Sequence, residues 1–345
     1  MHNDNISRNL KSLYIWLFFC SFTVFMMIII GAITRLSESG LSMVEWRPLI
    51  GAIPPMNEAE WNRIFDLYKQ SPEFNKENFW MELSDFKQIF FWEWFHRLLG
   101  RLIGVIYLVP FLFFLVKGWI PKGYGKALFG LFILGGAQGL MGWYMVKSGL
   151  VDVPDVSHYR LAAHLSLALV ILSAMLWLGL SFWKMSIKAT FKPDTALYNH
   201  GLIVLLLLIL TILWGAYTAG LDAGLVYNNS FPKMGNNWIP EEIWFYQPIW
   251  KNFFENQAGV QFTHRWFAMI TALVIISFVL HAGYKKRSEK SFVFLSVMIF
   301  AQVTLGIATL FSQVNLHIAV THQAGAVILL STVIFCLHAS RFKQP

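Results

Sequence analysis

The sequence predicts an all-α integral membrane protein whose eight transmembrane helices form two pseudo-symmetric four-helix bundles. Three observations predict this fold class: an apolar composition, eight long apolar tracts and an internal repeat. Of the 345 residues, 56% are apolar and only 13% are charged, and the mean hydropathy is +0.53. A soluble domain of this length needs more polar surface, so the composition excludes one.

Eight apolar tracts are long enough to cross a membrane. A helix spans the bilayer core with about 20 consecutive apolar residues. The predicted spans cover roughly residues 13–34, 95–116, 127–146, 161–183, 200–219, 263–282, 291–311 and 320–340. Because the number of spans is even, both termini lie on the same side of the membrane.

The basic residues predict the orientation. Lysine and arginine concentrate before the first span, in the second, fourth and sixth connections, and after the last span. By the positive-inside rule these segments are cytoplasmic, so the net charge of +8 reflects topology and indicates no nucleic-acid partner. The N-terminal "MHNDNISRNLKS" is unlike a transit peptide, and the first tract is too long for a signal peptide. We therefore expect a bacterial inner-membrane protein with both termini cytoplasmic.

The two cysteines predict no thiol chemistry. Cys20 and Cys336 both fall inside apolar tracts, and neither long outside connection contains a cysteine. We interpret both as packing residues and expect no disulfide.

An internal repeat divides the chain into two halves of four spans each. The aligned pairs are Gly31 with Gly215, Ala32 with Ala216, Thr34 with Thr218, Glu38 with Asp222 and Gly40 with Gly224 at an offset of 184, His96 and Arg97 with His264 and Arg265 at 168, Gln138 with Gln302 and Gly142 with Gly306 at 164, and His164 with His322 at 158. An even number of helices in each half makes the repeat parallel. We expect one bundle in residues 1–192 and the other in residues 193–345.

Four histidines share a position within the first turn or so of an even-numbered span; they are His96, His164, His264 and His322. Two imidazoles that face each other within one bundle suit the axial positions of a heme iron, whereas zinc and non-heme iron generally take three or four protein ligands. The alternative for each histidine is a polar anchor at the membrane interface. His158 and His317 also precede spans and are rival ligands.

Three charged residues beside these histidines suggest roles at the same sites. Arg97 and Arg265 follow His96 and His264 directly. Either these arginines contact heme propionates, or they extend to the interface as snorkelling side chains. Glu93 lies three residues before His96, on the same helix face.

The halves differ at Glu93, because the aligned residue in the second half is Gln261. A partly desolvated glutamate exchanges protons or stabilises a cation, and a glutamine cannot exchange a proton. We therefore predict that the first half is reactive and the second carries electrons. The alternative is that Glu93 only forms an ion pair with Arg97 or Arg101.

The chain resembles heme A synthases over essentially its whole length. The resemblance rests on "GAITRLSESGLSMVEWRPLIGAIPP" at 31–55, "FKQIFFWEWFHRLLGR" at 86–101, "GGAQGLMGWYMVKSGL" at 135–150, "AGLDAGLVYNNSFPKM" at 219–234, "VQFTHRWFA" at 260–268 and "THQAGA" at 321–326. Proteins of this family oxidise the methyl group on ring carbon 8 of heme O to a formyl group, which gives heme A for cytochrome oxidase. Some bacterial members carry a cysteine pair in the first outside connection; this sequence has none, so it resembles the branch shared by proteobacteria and mitochondria.

The resemblance implies a role for each candidate residue. It implies that His264 and His322 ligate a resident heme b, that His96 and His164 hold the substrate heme O, and that Glu93 is required for the chemistry. Heme O synthase, the farnesyltransferase, is then a candidate partner, and ferredoxin or quinol a candidate electron donor, in a chain surrounded by membrane lipid and open to homo-oligomerisation. The alternatives are a di-heme electron-transfer protein of the cytochrome b kind, with the same four ligands, and a heme carrier or assembly factor.

Overall fold

The computed structural model describes residues 2–45, 50–149, 156–287 and 289–342. Residues 46–49 and 150, which belong to two of the motifs above, lie outside the described residues. The helices are α1 (His2–Leu36), α2 (Glu58–Tyr68), α3 (Pro72–Lys76), α4 (Leu83–Val116), α5 (Gly125–Gly149), α6 (His158–Ser186), α7 (Thr195–Gly220), α8 (Asn252–Glu255), α9 (Gln257–Tyr284), α10 (Lys290–Phe311) and α11 (Leu316–Ala339). Short 3-10 helices cover Ile50–Ala52, Ala223–Leu225, Glu241–Trp244 and Ile249–Lys251.

The eight predicted spans are confirmed. Among the described residues, eight helices are long and apolar enough to cross a membrane, namely α1, α4, α5, α6, α7, α9, α10 and α11. The chain is therefore an all-α, multi-pass membrane protein. The predicted boundary between the halves, at residues 192 and 193, falls in the connection between α6 and α7.

Two of the helices begin well before the apolar tract does, and this corrects the predicted place of the histidines. Glu82 and Asp85 form a capping box that starts α4, and Asn256 caps α9 by accepting from two backbone N–H groups. Caps of this kind satisfy the free N–H groups of a first turn, whatever the hydropathy of the segment. His96 therefore lies about three and a half turns inside α4, and His264 about two turns inside α9, rather than in the first turn.

The helix contacts are consistent with two four-helix bundles. In the first half, α1 and α5 each pack against both α4 and α6; in the second, α7 and α10 each pack against both α9 and α11. The helices that carry the histidines, α4 with α6 and α9 with α11, are thus the diagonal pairs of the two bundles. The halves meet through α1, α6, α7 and α11. Cys20 and Cys336 are buried in this apolar interior, as expected of packing residues.

The backbone after the first helix of each half supports the repeat. Glu38 and Asp222, an aligned pair, both adopt left-handed conformations, with φ of 52° and 50°. Aspartate tolerates this region better than most residues, whereas glutamate has no such preference. Arg35 joins the two segments by donating from Nη2 to the Ala219 carbonyl at 3.1 Å and to the Asp222 carboxylate at 3.2 Å.

The two long connections differ, although the helices around them repeat. The α1–α4 connection contains α2 and α3. Phe65 and Tyr68 of α2 form an apolar cluster with Phe86 and Phe90 of α4 and with Met43. The α7–α9 connection instead contains short 3-10 turns and α8. The start of α4 is therefore covered by α2 and its apolar cluster, and the start of α9 by the shorter α8, which packs against it.

Candidate functional site

Each of the four predicted ligand histidines lies against a glycine of a neighbouring helix. The pairs are His96 of α4 with Gly31 of α1, His164 of α6 with Gly142 of α5, His264 of α9 with Gly215 of α7, and His322 of α11 with Gly306 of α10. A Cβ built on any of these glycines would lie 2.9–3.0 Å from the imidazole Cε1. Nearly all real Cβ contacts are longer than this, so a side chain at any of the four positions would require the imidazole beside it to shift.

Hydrogen bonds fix the orientation of the rings. Nδ1 of His264 lies 3.0 Å from the Thr211 carbonyl oxygen. Because a carbonyl only accepts, Nδ1 carries the proton and Nε2 keeps its lone pair, the form that ligates a metal. Gln138 and Gln302 each donate from Nε2 to the backbone carbonyl of the histidine beside them at 3.0 Å, with the same Nε2 3.2 Å from the Nδ1 atom of that histidine.

The two histidines of each half lie on the diagonal helices of one bundle. His96 and His164 are on α4 and α6, and His264 and His322 are on α9 and α11. The described residues contain no group of three or more His, Cys, Asp or Glu side chains that could hold a metal ion. Two imidazoles on diagonal helices, each backed by glycine, fit the two axial positions of a heme. The buried Nδ1 of His96, which has no hydrogen-bond partner, is also compatible with a bound group nearby.

The rival histidines have other environments. His158 begins α6 and packs against Tyr159, Tyr217 and the backbone at Gly220. It therefore lies where α6 meets α7, at the contact between the halves. His317, near the start of α11, is exposed. Neither histidine is part of the repeated histidine–glycine arrangement.

Glu93 is buried, with 3% of its surface exposed, and its carboxylate accepts three hydrogen bonds. Oε2 accepts from the Ser42 hydroxyl and the Met43 backbone N–H, both at 2.7 Å. Oε1 accepts from Arg97 Nη2 at 2.5 Å. Three donors suit a negatively charged carboxylate in a buried site. The ion pair with Arg97 that the sequence left open is therefore present, and Glu93 also holds the start of the α1–α4 connection.

Gln261 occupies the equivalent place in the second half with the opposite hydrogen-bond polarity. Its Nε2 donates to the carbonyl oxygens of Ala223 and Val226, at 2.9 and 2.5 Å, and its Oε1 accepts from Arg265 at 3.1 Å. Glu93 therefore attaches α4 to the connection before it, and Gln261 attaches α9 to the connection before it in the same way. Only the first half does so with an acidic group.

Arg97 and Arg265 both donate hydrogen bonds to other groups of the protein. Arg265, 6% exposed, donates to the carbonyls of Tyr227, Ser230 and Lys233 as well as to Gln261. Arg97 donates to Glu93 and to the Met43 carbonyl. These contacts give both arginines a structural role in holding the connections, and contact with heme propionates stays a prediction.

Sequence reasoning missed two features of the site. Ser42 and the Met43 N–H were not recognised as partners of Glu93, because irregular backbone leaves no periodic signal. The glycine contacts did leave a signal, since Gly31 with Gly215 and Gly142 with Gly306 were aligned in the repeat. The alignment alone does not show that the group in contact with each glycine is the imidazole of a candidate ligand.

Comparisons with known proteins identify the family. The family model COX15-CtaA, described as cytochrome oxidase assembly protein, matches residues 14–334. The heme A synthase of Rhodospirillum centenum is 46% identical to the chain, over 96% of this chain and 89% of the relative. That of Nitrosospira multiformis is 43% identical over 96% and 94%, and human heme A synthase COX15 is 43% identical over 94% and 82%. The chain therefore belongs to the COX15-CtaA family of cytochrome oxidase assembly proteins.

Proposed function

We propose that this protein is a heme A synthase, an oxidoreductase that converts heme O to heme A for cytochrome oxidase. One observation carries the proposal: the chain matches proteins named heme A synthase over nearly its whole length, at 41–46% identity for the bacterial relatives. The reaction oxidises a ring methyl group of the substrate to a formyl group and removes four electrons. Two successive hydroxylations followed by loss of water are a consistent route, in which each hydroxylation consumes one O2, two electrons from the redox partner and two protons, and releases one water molecule.

The two halves bind different hemes in this proposal. His96 and His164 hold the substrate heme O, and His264 and His322 hold a resident heme b. The proton on Nδ1 of His264, directed at the Thr211 carbonyl, supports a ligand role for this histidine. Heme b, when bound, supplies one-electron transfer. Assigning it to the second half follows from Gln261, which cannot exchange a proton as Glu93 can.

Glu93 is the catalytic residue in this proposal. Its carboxylate is buried three residues from His96, and three donors hold it in place. A fixed negative charge there stabilises positive charge that develops on the substrate methyl carbon, and the carboxylate accepts a proton released during oxidation. Arg97 and Ser42 orient it, so that its position does not depend on bound water.

We also propose a membrane, an orientation and partners for the protein. We place it in a bacterial inner membrane with both termini in the cytoplasm, on the distribution of lysine and arginine. Heme O synthase is the class of enzyme that must supply the substrate. Ferredoxin or quinol is the proposed electron partner.

The test is to follow heme O in the presence of the purified protein. The parent chain, supplied with heme O and a redox partner, should yield heme A, identified by the mass of the extracted pigment. A cytochrome b-like electron carrier or a heme carrier would leave heme O unchanged. That outcome would overturn the proposed function.

Substitution of Glu93 tests the catalytic assignment. Glu93→Gln keeps one acceptor oxygen for Ser42 and Met43, so folding and heme content should survive. It removes the charge and turns an NH₂ group toward Arg97. Positioned acid or base groups contribute about 100-fold to 10,000-fold in rate, so heme A formation should fall by a factor in that range while heme O accumulates.

A matched control and two other outcomes complete this experiment. Glu58→Gln removes an exposed carboxylate from the same connection and should leave the rate unchanged. If the alcohol intermediate accumulates instead of heme O, Glu93 serves the second oxidation. Parental activity in Glu93→Gln would show that Glu93 only anchors the connection with Arg97.

A further inference from the structure

A cavity lies apart from the proposed heme sites, where the two halves join at the proposed cytoplasmic ends of their helices. Its volume is about 450 Å³, and it is lined by Trp177 of α6, Phe191 and Pro193 of the α6–α7 connection, Thr195 and Tyr198 of α7, and Arg341, which follows α11. The four candidate ligand histidines lie nearer the opposite ends of their helices. The proposed reaction therefore does not use this cavity.

Hydrogen bonds between backbone groups hold the walls of the cavity together. The Lys192 N–H donates to the Arg341 carbonyl at 3.0 Å, and the Asp194 N–H donates to the Ser340 carbonyl at 2.9 Å. These bonds join the connection between the halves to the end of α11. Because α6 belongs to the first half and α7 to the second, a molecule bound here would contact both halves.

Arg341 is half-buried and lies over two of the aromatic rings that line the cavity. Its guanidinium carbon is 5.1 Å from the ring centroid of Trp177 and 5.4 Å from that of Phe191. Cation–π contacts hold a guanidinium in place without occupying its N–H donors. Within residues 2–45, 50–149, 156–287 and 289–342, no carboxylate pairs with Arg341 and no group accepts a hydrogen bond from its guanidinium. These donors are therefore available to a ligand.

The cavity lies at the level of the lipid headgroups. Five of its six lining residues fall outside the predicted spans 161–183, 200–219 and 320–340, at most eight residues from an end, and Trp177 falls inside the first of these spans. Tryptophan, tyrosine and arginine are typical of this boundary, because each side chain has an apolar part and a polar part. An amphiphilic ligand would place its polar part beside Arg341 and Tyr198.

The charges around the cavity favour an anion. The nearby acidic residues are paired with basic ones, Asp194 with Lys285 at 3.9 Å and Glu289 with Arg287. The ammonium group of Lys184 lies 5.4 Å from the ring centroid of Phe342, and no carboxylate pairs with it in the part of the chain that the structure describes. Lys184 and Arg341 therefore leave an excess of positive charge here.

We propose that this cavity binds an anionic phospholipid of the cytoplasmic leaflet, whose phosphate accepts hydrogen bonds from the Arg341 guanidinium. A planar guanidinium matches the geometry of a phosphate better than an ammonium does. Basic pockets between transmembrane helices on the cytoplasmic side suit anionic headgroups. The hydroxyls of Thr195 and Tyr198 line the same space and add donors. The bound lipid contacts both halves and thereby stabilises the contact between them.

The first experiment measures lipid binding to the full-length protein by native mass spectrometry in a mild detergent. Phosphatidylglycerol and phosphatidylcholine with the same acyl chains are titrated separately. The parent should retain one phosphatidylglycerol at concentrations at which it has lost phosphatidylcholine. In Arg341→Gln the affinity for that phosphatidylglycerol should fall about 5-fold or more, the contribution of one basic residue near an anionic membrane surface.

Two further variants separate a built site from general surface charge. Lys122→Gln removes the same charge from the α4–α5 connection, where Lys122 is exposed and does not line the cavity. It should keep the parental affinity for phosphatidylglycerol. Arg341→Lys keeps the charge but loses the planar guanidinium, so it should bind phosphatidylglycerol more weakly than the parent.

The second measurement is thermal unfolding of the purified protein, followed by circular dichroism. A ligand that binds only the folded state raises the unfolding midpoint. Phosphatidylglycerol should therefore raise the midpoint of the parent more than phosphatidylcholine does, and this difference should be absent in Arg341→Gln. Inorganic phosphate without lipid should leave the midpoint unchanged. If phosphate raised it as much as phosphatidylglycerol, the site would belong to a free anion and the lipid proposal would be overturned.

Three other results would also overturn the proposal: no preference of the parent for phosphatidylglycerol, equal losses of affinity in Lys122→Gln and Arg341→Gln, or parental affinity in Arg341→Lys. The last two would show that surface charge alone attracts the lipid. If Arg341→Gln fails to fold, Arg341→Lys and the two lipids on the parent still decide the question. These measurements do not involve heme, so their outcome is independent of the proposed function.

Discussion

The contact between Gly306 and His322 allows a sharp test of the proposed heme b site. In Gly306→Ala the new Cβ would lie 2.9 Å from Cε1 of His322. Carbon atoms in contact are normally about 3.5–4.0 Å apart, so the imidazole must move by about 0.6–1 Å. Metal–ligand distances tolerate deviations of only about 0.2 Å. The displacement exceeds that tolerance several times over.

The surroundings of His322 prevent an easy adjustment. Nε2 of Gln302 lies 3.2 Å from Nδ1 of His322 and donates to the His322 backbone carbonyl. Oε1 of Gln302 lies so close to Gly325 that no Cβ would fit there. Overpacking of such a site typically costs about 1–3 kcal/mol. If that cost falls on the liganded form, the affinity for heme b should fall by roughly 5-fold to 150-fold.

The assay is the heme b content of each purified chain, from the alkaline pyridine spectrum, followed by heme titration of the apoprotein. Gly139→Ala is the control, since a Cβ at Gly139 meets nothing within 4 Å although Gly139 lies one turn from Gly142 on α5. It should retain full heme b, and helix content by circular dichroism should match the parent in both variants. If Gly306→Ala bound heme b with parental affinity, a side chain at position 306 would not disturb the His322 imidazole, and the reasoning would be refuted.

Two further predictions concern the second half. His264→Ala should remove the proposed heme b, measured as pyridine hemochrome per chain, while the helix content is kept. If the variant kept the parental amount of heme b, a residue other than His264 would be the ligand paired with His322. Arg265→Lys should loosen the α7–α9 connection, because a single ammonium cannot serve the carbonyls of Tyr227 and Lys233 together with the other acceptors of the guanidinium. Each buried carbonyl left without a donor costs about 1–3 kcal/mol, so limited proteolysis in this connection should become faster, and an unchanged cleavage rate would contradict the anchoring role.

The sequence predicted the features that depend on composition and spacing. Eight spans follow from hydropathy, and the alignment of His96 with His264 and of His164 with His322 follows from the repeat. The alignment also predicted which glycines share a place in the two halves. These features are local, or they recur at a fixed offset, so one sequence is enough to find them.

Features that depend on irregular backbone were not predicted. The early starts of α4 and α9 come from caps at Glu82 and Asn256, which lie outside the apolar tracts. The contacts of Glu93 with Ser42 and Met43 join residues about 50 positions apart across a connection without periodicity.

The difference between Glu93 and Gln261 matches a difference in the hydrogen-bonding groups that the two connections present to them. In the first half the connection presents donors, the Ser42 hydroxyl and the Met43 N–H, which an acceptor-only carboxylate satisfies. In the second half it presents the carbonyls of Ala223 and Val226, which require the donor NH₂ of an amide. A carboxylate placed at Gln261 would meet two carbonyl oxygens and be repelled. Exchange of one side chain therefore does not convert one half into the other. The donors of the first connection favour a carboxylate at position 93, and the carbonyls of the second favour an amide at position 261.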